Sequence, residues 1–184
     1  CGPETLRKAP FGPAPALRAL REKLPTAKYA LEDEDGNFLS TERFQDASFG
    51  VEAIGVDFQT LLEATAVRLV VFSTENTPEE FTATIQEIGL AGVTYSVGWT
   101  AWLDIAAEGV TKASALERLR GQLGTEPHRT VAIGDGRNDI EMLGWAGRGV
   151  AMGQAAEEVI AAADEVTHSV FDDGAAHVLR SLLV

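Results

Sequence analysis

The chain has 184 residues, 45% of them hydrophobic, and a formal net charge of −13. This length is enough for one large domain or two small ones, and no apolar run approaches the roughly 20 residues of a membrane span. The negative charge argues against binding to nucleic acid or to anionic membrane surfaces, because Lys and Arg must neutralise their phosphates. The single cysteine, Cys1, excludes an internal disulfide and favours a reducing cytoplasm.

The first half of the chain predicts a small mixed sheet with helices. Residues 1–12 hold Gly and Pro without periodicity, which indicates an irregular lead-in. Asp35-Gly36 between two short strands predicts a hairpin, and Thr77-Pro78 with Glu80 predicts a helix start. We expect helices at 14–24, 58–64 and 78–88, strands at 27–31, 38–41, 67–72, 93–97 and 101–105, and a loop at 45–56.

After Gly109 the predicted strands alternate with helices, which is typical of a parallel α/β layer. We expect helices at 112–123, 139–144, 155–163 and 174–182, and strands at 130–133, 149–152 and near Val166. The strand at 130–133 is short and apolar, which predicts a central strand buried on both faces.

The segment Gly134–Asp139 holds two carboxylates and two glycines directly after that strand. In a parallel α/β sheet the carboxyl ends of the strands form the ligand-binding edge, where Asp135 is expected to lie. Carboxylates suit a hard cation such as Mg²⁺. The alternative is an ordinary strand-to-helix turn, in which Asn138 caps the helix and Asp139 interacts favourably with its dipole.

Lys112 is a second candidate, since Thr111 is a plausible N-cap that places this lysine in the first turn of a helix. A cation there interacts unfavourably with the helix dipole, at a cost of a few tenths of a kcal/mol. That cost is offset if Lys112 and the helix N-terminus both face a bound anion. The alternative is an exposed surface lysine.

Together these segments resemble the Cof-type phosphatases of the haloacid dehalogenase superfamily, which carry a large α/β cap. The matching stretches begin with Val110-Thr111-Lys112 and Gly134-Asp135-Gly136-Arg137-Asn138-Asp139. The pattern continues through Gly149–Gly153, Ala163–Thr167 and Asp173-Gly174-Ala175. Gln154 departs from it, since the family usually has Asn there. The resemblance implies an α/β fold with a lead-in at 1–12, a mixed-sheet cap at 13–103, and the C-terminal part of a Rossmann-like core at 104–184.

The resemblance also implies a magnesium-dependent phosphatase acting on small phosphorylated metabolites, sugar phosphates above all, through an aspartyl-phosphate. Asp135 would bind Mg²⁺, and Asp139 would support the metal site directly or through water. Lys112 would hold the nucleophile and the phosphoryl group, and Asn138 would contact the phosphate or order the loop.

The family's nucleophile lies in an Asp-x-Asp-Gly-Thr motif upstream of the cap, which these 184 residues do not show in that position. Asp33-Glu34-Asp35-Gly36 resembles it in part, but Asn37 follows instead of Thr. The preceding strand also lacks a continuous apolar run, so we interpret Asp35-Gly36 as a hairpin turn.

Two hypotheses follow for the chain as a whole. One is a phosphatase whose nucleophile lies upstream of Cys1, so that the present chain is inactive alone. The other is a non-catalytic binding module that retains the cap and half of the core. In either case we expect the strand at 130–133 to leave one edge open for another chain or for an upstream segment.

Overall fold

The computed structural model describes residues 8–41 and 53–183, which divide into two compact units between Gly109 and Val110. The sequence placed the boundary earlier, between residues 103 and 104. That position falls inside the strand Trp102–Ala107, which pairs with strands of the first unit on both sides. No helix within the described residues has the length and apolar character to cross a bilayer.

The first unit, up to Gly109, is built on one six-stranded mixed sheet. Its helices are α1 (Ala14–Lys23), α2 (Phe58–Glu63) and α3 (Pro78–Ile88). Its strands are β1 (Lys28–Asp33), β2 (Phe38–Ser40), β3 (Ile54–Gly55), β4 (Ala66–Phe72), β5 (Val93–Val97) and β6 (Trp102–Ala107). The strand order is β3-β2-β1-β4-β6-β5, with β2 and β3 parallel and the other neighbours antiparallel.

Local signals explain several of these elements. The β1–β2 hairpin pairs Glu32 with Phe38 across the Asp35-Gly36 turn, and Gly36 has φ +85°, which favours glycine. Helix α3 begins with the predicted capping box, in which the Thr77 side chain accepts from the Glu80 amide and the Glu80 carboxylate accepts from the Thr77 amide. The predicted mixed sheet is confirmed. The predicted loop at 45–56 and lead-in at 1–12 lie largely outside the described residues, although Ile54–Gly55 forms β3.

The core of the first unit lies between its sheet and its helices. Alternate residues of the central strands point to this side and are fully buried, as expected from the period of two in a strand. The largest of them are Tyr29, Leu31, Leu69, Leu103 and Ile105. They pack in one cluster with Leu17, Leu20, Leu61, Phe81 and Ile85 from the helices.

The second unit, from Val110, is a parallel three-stranded sheet with helices. Its helices are α4 (Lys112–Leu123), α5 (Ile140–Trp145), α6 (Glu157–Ile160) and α7 (Gly174–Ser181), and its strands are β7 (Val131–Gly134), β8 (Arg148–Ala151) and β9 (Glu165–Val166). The sheet order is β7-β8-β9, and both pairings are parallel. Parallel strands alternating with helices confirm the predicted α/β layer. Helix α6 is shorter than the predicted 155–163, and β7 starts one residue later than predicted.

Strand β7 differs from its prediction in burial. Ala132 and Gly134 are buried, whereas Val131 on the other face is 36% exposed and Ile133 is half-buried. Within residues 8–41 and 53–183, β7 pairs with β8 on one side and with no other strand. The expectation of burial on both faces is therefore wrong for these residues. Ala132 packs with Leu143 of α5 in the described core cluster, which includes neither Val131 nor Ile133. The expected pairing of the other edge of β7 with another chain or with an upstream segment stays a prediction.

Candidate active site

Asp139 is the buried carboxylate around which the candidate site is arranged. A short 3-10 helix, Arg137–Asp139, follows the loop after β7 and carries the Asp139 side chain back toward that loop. Its Oδ2 accepts hydrogen bonds from the backbone amides of Asp135 at 3.1 Å and Gly136 at 3.0 Å. Because the side chain is only 6% exposed, these bonds replace the water that the carboxylate loses on burial.

Lys112 provides the positive charge of the site. Its Nζ donates to Asp139 Oδ1 at 2.5 Å, while its own side chain remains 48% exposed. Thr111 forms a capping box with Ser114, and this fixes Lys112 at the first position of α4. The ammonium is thus held by a buried carboxylate, while about half of the Lys112 side chain stays exposed to solvent. Such a cation can bind a second anion.

Gly134 allows Asp139 to approach the end of β7. A Cβ atom built on Gly134 would lie 2.5 Å from the Cβ of Asp139 and 2.8 Å from its Oδ2. Both distances are shorter than real contacts between such atoms. The glycine is therefore needed for close approach, and the position tolerates no larger residue without movement of the carboxylate.

Asp135 is half-buried. Its carboxylate contacts Gln154, a residue that the sequence did not predict as part of the site. Gln154 Nε2 donates to Asp135 Oδ2 at 3.0 Å. Asp135 Oδ1 accepts no hydrogen bond from the residues that the structure describes. The sequence analysis noted Gln154 only as a departure from the family pattern and carried no signal for its contact with Asp135, because Gln154 follows a different strand.

Asn138 lies at the exposed surface of the same loop. Its side-chain oxygen folds toward Gly136, where a Cβ atom would come within 2.7 Å of it. Asn138 does not cap α5, since the helical turn already begins at Gly136 and no side-chain cap bond is formed at Asp139. The expected cap by Asn138 is therefore wrong, whereas the alternative of an ordinary strand-to-helix turn at this loop stays open.

The carboxylates of the β1–β2 hairpin are engaged in their own turn. Asp33 Oδ1 accepts from the amides of Asp35 and Asn37, and Asp33 Oδ2 accepts from the Asn37 side chain. Partial burial acts to raise the pKa of Asp33, but the hydrogen bonds from Asn37 and the turn amides outweigh it and lower the pKa below its ordinary value. This arrangement is that of a hairpin turn, as the sequence indicated.

Two carboxylates at one loop suit Mg²⁺ better than a transition metal. No cluster of three or more His, Cys, Asp or Glu side chains that could hold a metal occurs in the described part of the chain. Magnesium commonly uses one or two protein carboxylates and completes its coordination with water and phosphate oxygens. The half-buried Asp135 carboxylate, with one oxygen bound by Gln154 and the other without a described partner, fits such a cation.

A depression in the surface of the second unit lies elsewhere. It has a volume of about 380 Å³ and runs between β8, β9 and α7, where His168 and His177 stack with ring centroids 4.4 Å apart. Neither Asp135 nor Lys112 lines it. The candidate site at the loop after β7 is therefore separate from this depression.

A family model for haloacid dehalogenase-like hydrolases matches residues 21–179. The chain belongs to this family. Among solved structures, a sugar phosphatase of HAD subclass IIB is similar with a TM-score of 0.75 and 27% sequence identity, covering 95% of this chain and 67% of that chain. The resemblance to Cof-type phosphatases in the sequence is thereby confirmed.

Curated relatives are similar over shorter stretches. Phosphatase YwpJ of Bacillus subtilis is 41% identical over 80 residues, which are 44% of this chain and 28% of that protein. A phosphoglycolate phosphatase of Methanoculleus marisnigri is 36% identical over 105 residues, which are 57% of this chain and 44% of that protein. In both cases the match spans less than half of the relative.

Proposed function

We propose that this haloacid dehalogenase-like chain forms part of a magnesium-dependent phosphatase of small phosphorylated metabolites, with sugar phosphates as the substrate class. The observation that carries the proposal is the pairing of half-exposed Lys112 with buried Asp139 beside the Asp135 carboxylate. This arrangement offers the fixed ammonium of Lys112 and, at the loop after β7, the Asp135 carboxylate, which is suited to bind Mg²⁺. The relatives named above as phosphatases support the reaction class.

Asp135 would hold the magnesium ion. When bound, Mg²⁺ offsets negative charge on the phosphoryl oxygens. In the proposal Asp139 supports the metal site mainly by holding in position the loop that carries Asp135. Its Oδ2 holds the amides of Asp135 and Gly136, and its Oδ1 holds Lys112, so both oxygens have partners within the protein.

Lys112 would contact a phosphoryl oxygen with its ammonium. Asp139 orients this ammonium before substrate arrives, so little reorganisation is needed when charge develops in the transition state. Asn138, which is exposed on the same loop, would donate its side-chain amide to the phosphate.

The proposed reaction has two displacement steps at phosphorus. A carboxylate oxygen attacks phosphorus, the bond to the ester oxygen breaks, and the leaving alcohol takes a proton. Water then cleaves the acyl phosphate and releases inorganic phosphate and the free carboxylate. We assign the attacking carboxylate to no residue of this chain, and we expect the 184 residues alone to be inactive on phosphate esters.

The test is phosphate release from p-nitrophenyl phosphate and a set of sugar phosphates by the natural gene product that carries these residues. Activity should require Mg²⁺ and should be lost in Asp135→Asn. Lys112→Met should reduce kcat by at least two orders of magnitude, since it removes a charge that acts on the transition state.

Lys23→Met is the matched control. Lys23 also donates to a carboxylate, Glu87, at 2.7 Å, but the pair lies at the exposed surface of the first unit. Its substitution should leave the rate unchanged. Hydrolysis that persists in Asp135→Asn, or that does not depend on Mg²⁺, would remove the assignment of this loop to a metal site.

A further inference from the structure

The loops that follow the three parallel strands lie side by side in the second unit. The amide of Met152, after β8, donates to the carbonyl of Gly134 at the end of β7 at 2.9 Å. The next amide, that of Gly153, donates to the carbonyl of His168 after β9 at 3.1 Å. The middle loop is thus bound to both of its neighbours, and Gln154 is the next residue in it.

The side-chain amide of Gln154 spans from one neighbouring loop to the other. Its Nε2 donates to Asp135 Oδ2 at 3.0 Å, and its Oε1 accepts from the Val170 amide at 2.9 Å. An ionised carboxylate only accepts hydrogen bonds and a backbone N–H only donates. The two partners therefore allow a single orientation of the Gln154 amide.

We infer that Gln154 is a positioning residue for the metal-binding carboxylate of Asp135, and this inference rests on the proposed function. The bond from Nε2 fixes the rotation of the Asp135 carboxylate and keeps Oδ2 turned toward Gln154. Oδ1, which has no partner among the described residues, is then presented to the cation. The Val170 amide fixes Gln154 in turn, so the loop after β9 contributes to the geometry of the loop after β7.

The experiment measures Mn²⁺ binding to the 184-residue chain by electron paramagnetic resonance, because Mn²⁺ takes the same oxygen ligands as Mg²⁺ and has a spectroscopic signal. Asp135→Asn defines the fraction of bound Mn²⁺ that belongs to this site. Gln154→Met keeps the side-chain length and removes both polar groups. Its Mn²⁺ affinity should fall about 10-fold or more, as for other residues that orient metal ligands.

Two matched measurements separate positioning from general stability. Gln122→Met makes the same substitution at an exposed position of α4 and should bind Mn²⁺ as the unsubstituted chain does. The thermal unfolding midpoint of each variant is recorded beside its affinity. Gln154→Met should lose affinity while its midpoint stays close to that of Gln122→Met.

Val170→Pro tests the hydrogen bond between the Val170 amide and Gln154 Oε1 and leaves in place the bond between Gln154 Nε2 and Asp135. Val170 is the first residue of a 3-10 turn, where the missing N–H of proline is tolerated, and Ser169 before it has the extended backbone that proline favours. The substitution removes the amide that holds Gln154 Oε1. It should weaken Mn²⁺ binding in the same direction, and adding it to Gln154→Met should cost no further affinity.

The outcomes distinguish the two proposals. If Asp135→Asn lowers Mn²⁺ binding but Gln154→Met binds like Gln122→Met, the positioning role is wrong and the proposed function stands. The positioning role is also overturned if the loss in Gln154→Met tracks a fall in the folded fraction, or if Val170→Pro and Gln154→Met act additively. If Asp135→Asn leaves Mn²⁺ binding unchanged, the metal site itself is wrong.

Discussion

Asp139 combines three structural tasks in one buried carboxylate. It neutralises Lys112, caps the 3-10 turn through the Gly136 amide, and accepts from the amide of Asp135. Charge-assisted bonds of this kind are stronger than neutral ones, and a buried carboxylate without them would carry a large desolvation cost. The position of Lys112 and the shape of the loop therefore depend on the same side chain.

Gly134→Ala tests how closely Asp139 must approach β7. The added methyl group would overlap the Asp139 side chain, whose nearest atom would be 2.5 Å away. Since strand and carboxylate must separate, we expect a loss of about 1–3 kcal/mol in the free energy of unfolding. Urea titration followed by circular dichroism measures it.

Gly144→Ala is the control for that substitution. Gly144 lies in α5, and a Cβ atom there would meet nothing within 4 Å. Alanine favours the helix more than glycine does, so this variant should gain about 0.5–1 kcal/mol. Equal effects at the two positions would contradict the close approach of Gly134 and Asp139.

Residue types, spacing and the family resemblance nominated Lys112, Asp135, Asn138 and Asp139, whose roles stay predictions, but did not say which of these residues bind each other. The Lys112–Asp139 pair joins two helical segments that are separated by β7, and its formation depends on the orientation of α4 against the loop. Gln154 was missed for a related reason. Its contact with Asp135 arises from the lateral pairing of β7 with β8, which no local pattern encodes.

Among the elements, α4 and α5 are joined by a polar cluster at their surface. Glu117 on α4 accepts from the Trp145 indole of α5 at 2.8 Å and from Arg120 through both of its oxygens. The hydrogen bonds from Arg120 first, and from Trp145 second, lower the pKa of Glu117 from 4.5 to about 2. The carboxylate is thus more easily ionised in the folded chain than in the unfolded one.

This shift predicts a pH dependence of stability. Because the folded-state pKa lies below the unfolded one, the ionised Glu117 stabilises the fold above pH 4.5, and this contribution is lost as the pH falls toward 2. Glu117→Gln should therefore show a smaller loss of stability than the unsubstituted chain between pH 5 and about 3. Denaturant titrations at several pH values give the free energy of unfolding of both chains, and the slope of this free energy against pH is compared.

Glu157→Gln is the comparison variant, since Glu157 is exposed and its side chain forms no hydrogen bond with other described residues. Its slope should equal that of the unsubstituted chain. If Glu117→Gln and Glu157→Gln gave the same slope, the cluster of Glu117 with Arg120 and Trp145 would not contribute in solution.

Helix and strand positions followed from local signals, whereas burial did not. The capping box predicted at Thr77 and the N-cap predicted at Thr111 placed the starts of α3 and α4 correctly. Helix α4 carries Leu116, Leu119 and Leu123 at helical spacing, yet no residue of it is fully buried and Leu123 is 69% exposed. Periodicity identifies the face that is suited to packing, but whether a layer covers that face depends on other parts of the chain.

At the scale of the whole molecule, the two units have hydrophobic cores of very different size. Among the described residues, the core cluster of the first unit contains 16 buried residues and that of the second contains five, including Leu143 and Val159. Several large apolar side chains of the second unit are exposed, including Phe171 at 92%. Since buried apolar area is the main stabilising contribution, the second unit is expected to be the less stable one.

We therefore expect guanidinium chloride to unfold the chain in two steps. The second unit should unfold at lower denaturant concentration and with the smaller slope, because it exposes less new surface on unfolding. Trp145 reports on the second unit, while Trp99 and Trp102 report on the first. Fluorescence of the chain and of a Trp145→Phe variant separates the two signals.

Core substitutions assign each step to its unit. Leu143→Ala removes a fully buried side chain of the second unit and should lower the first midpoint, by an equivalent of about 2–5 kcal/mol, without moving the second. Phe81→Ala should act on the second midpoint alone, since Phe81 is fully buried in the core of the first unit. A single transition that both substitutions shift together would mean that the units unfold cooperatively. In that case stability would not follow from the size of each core.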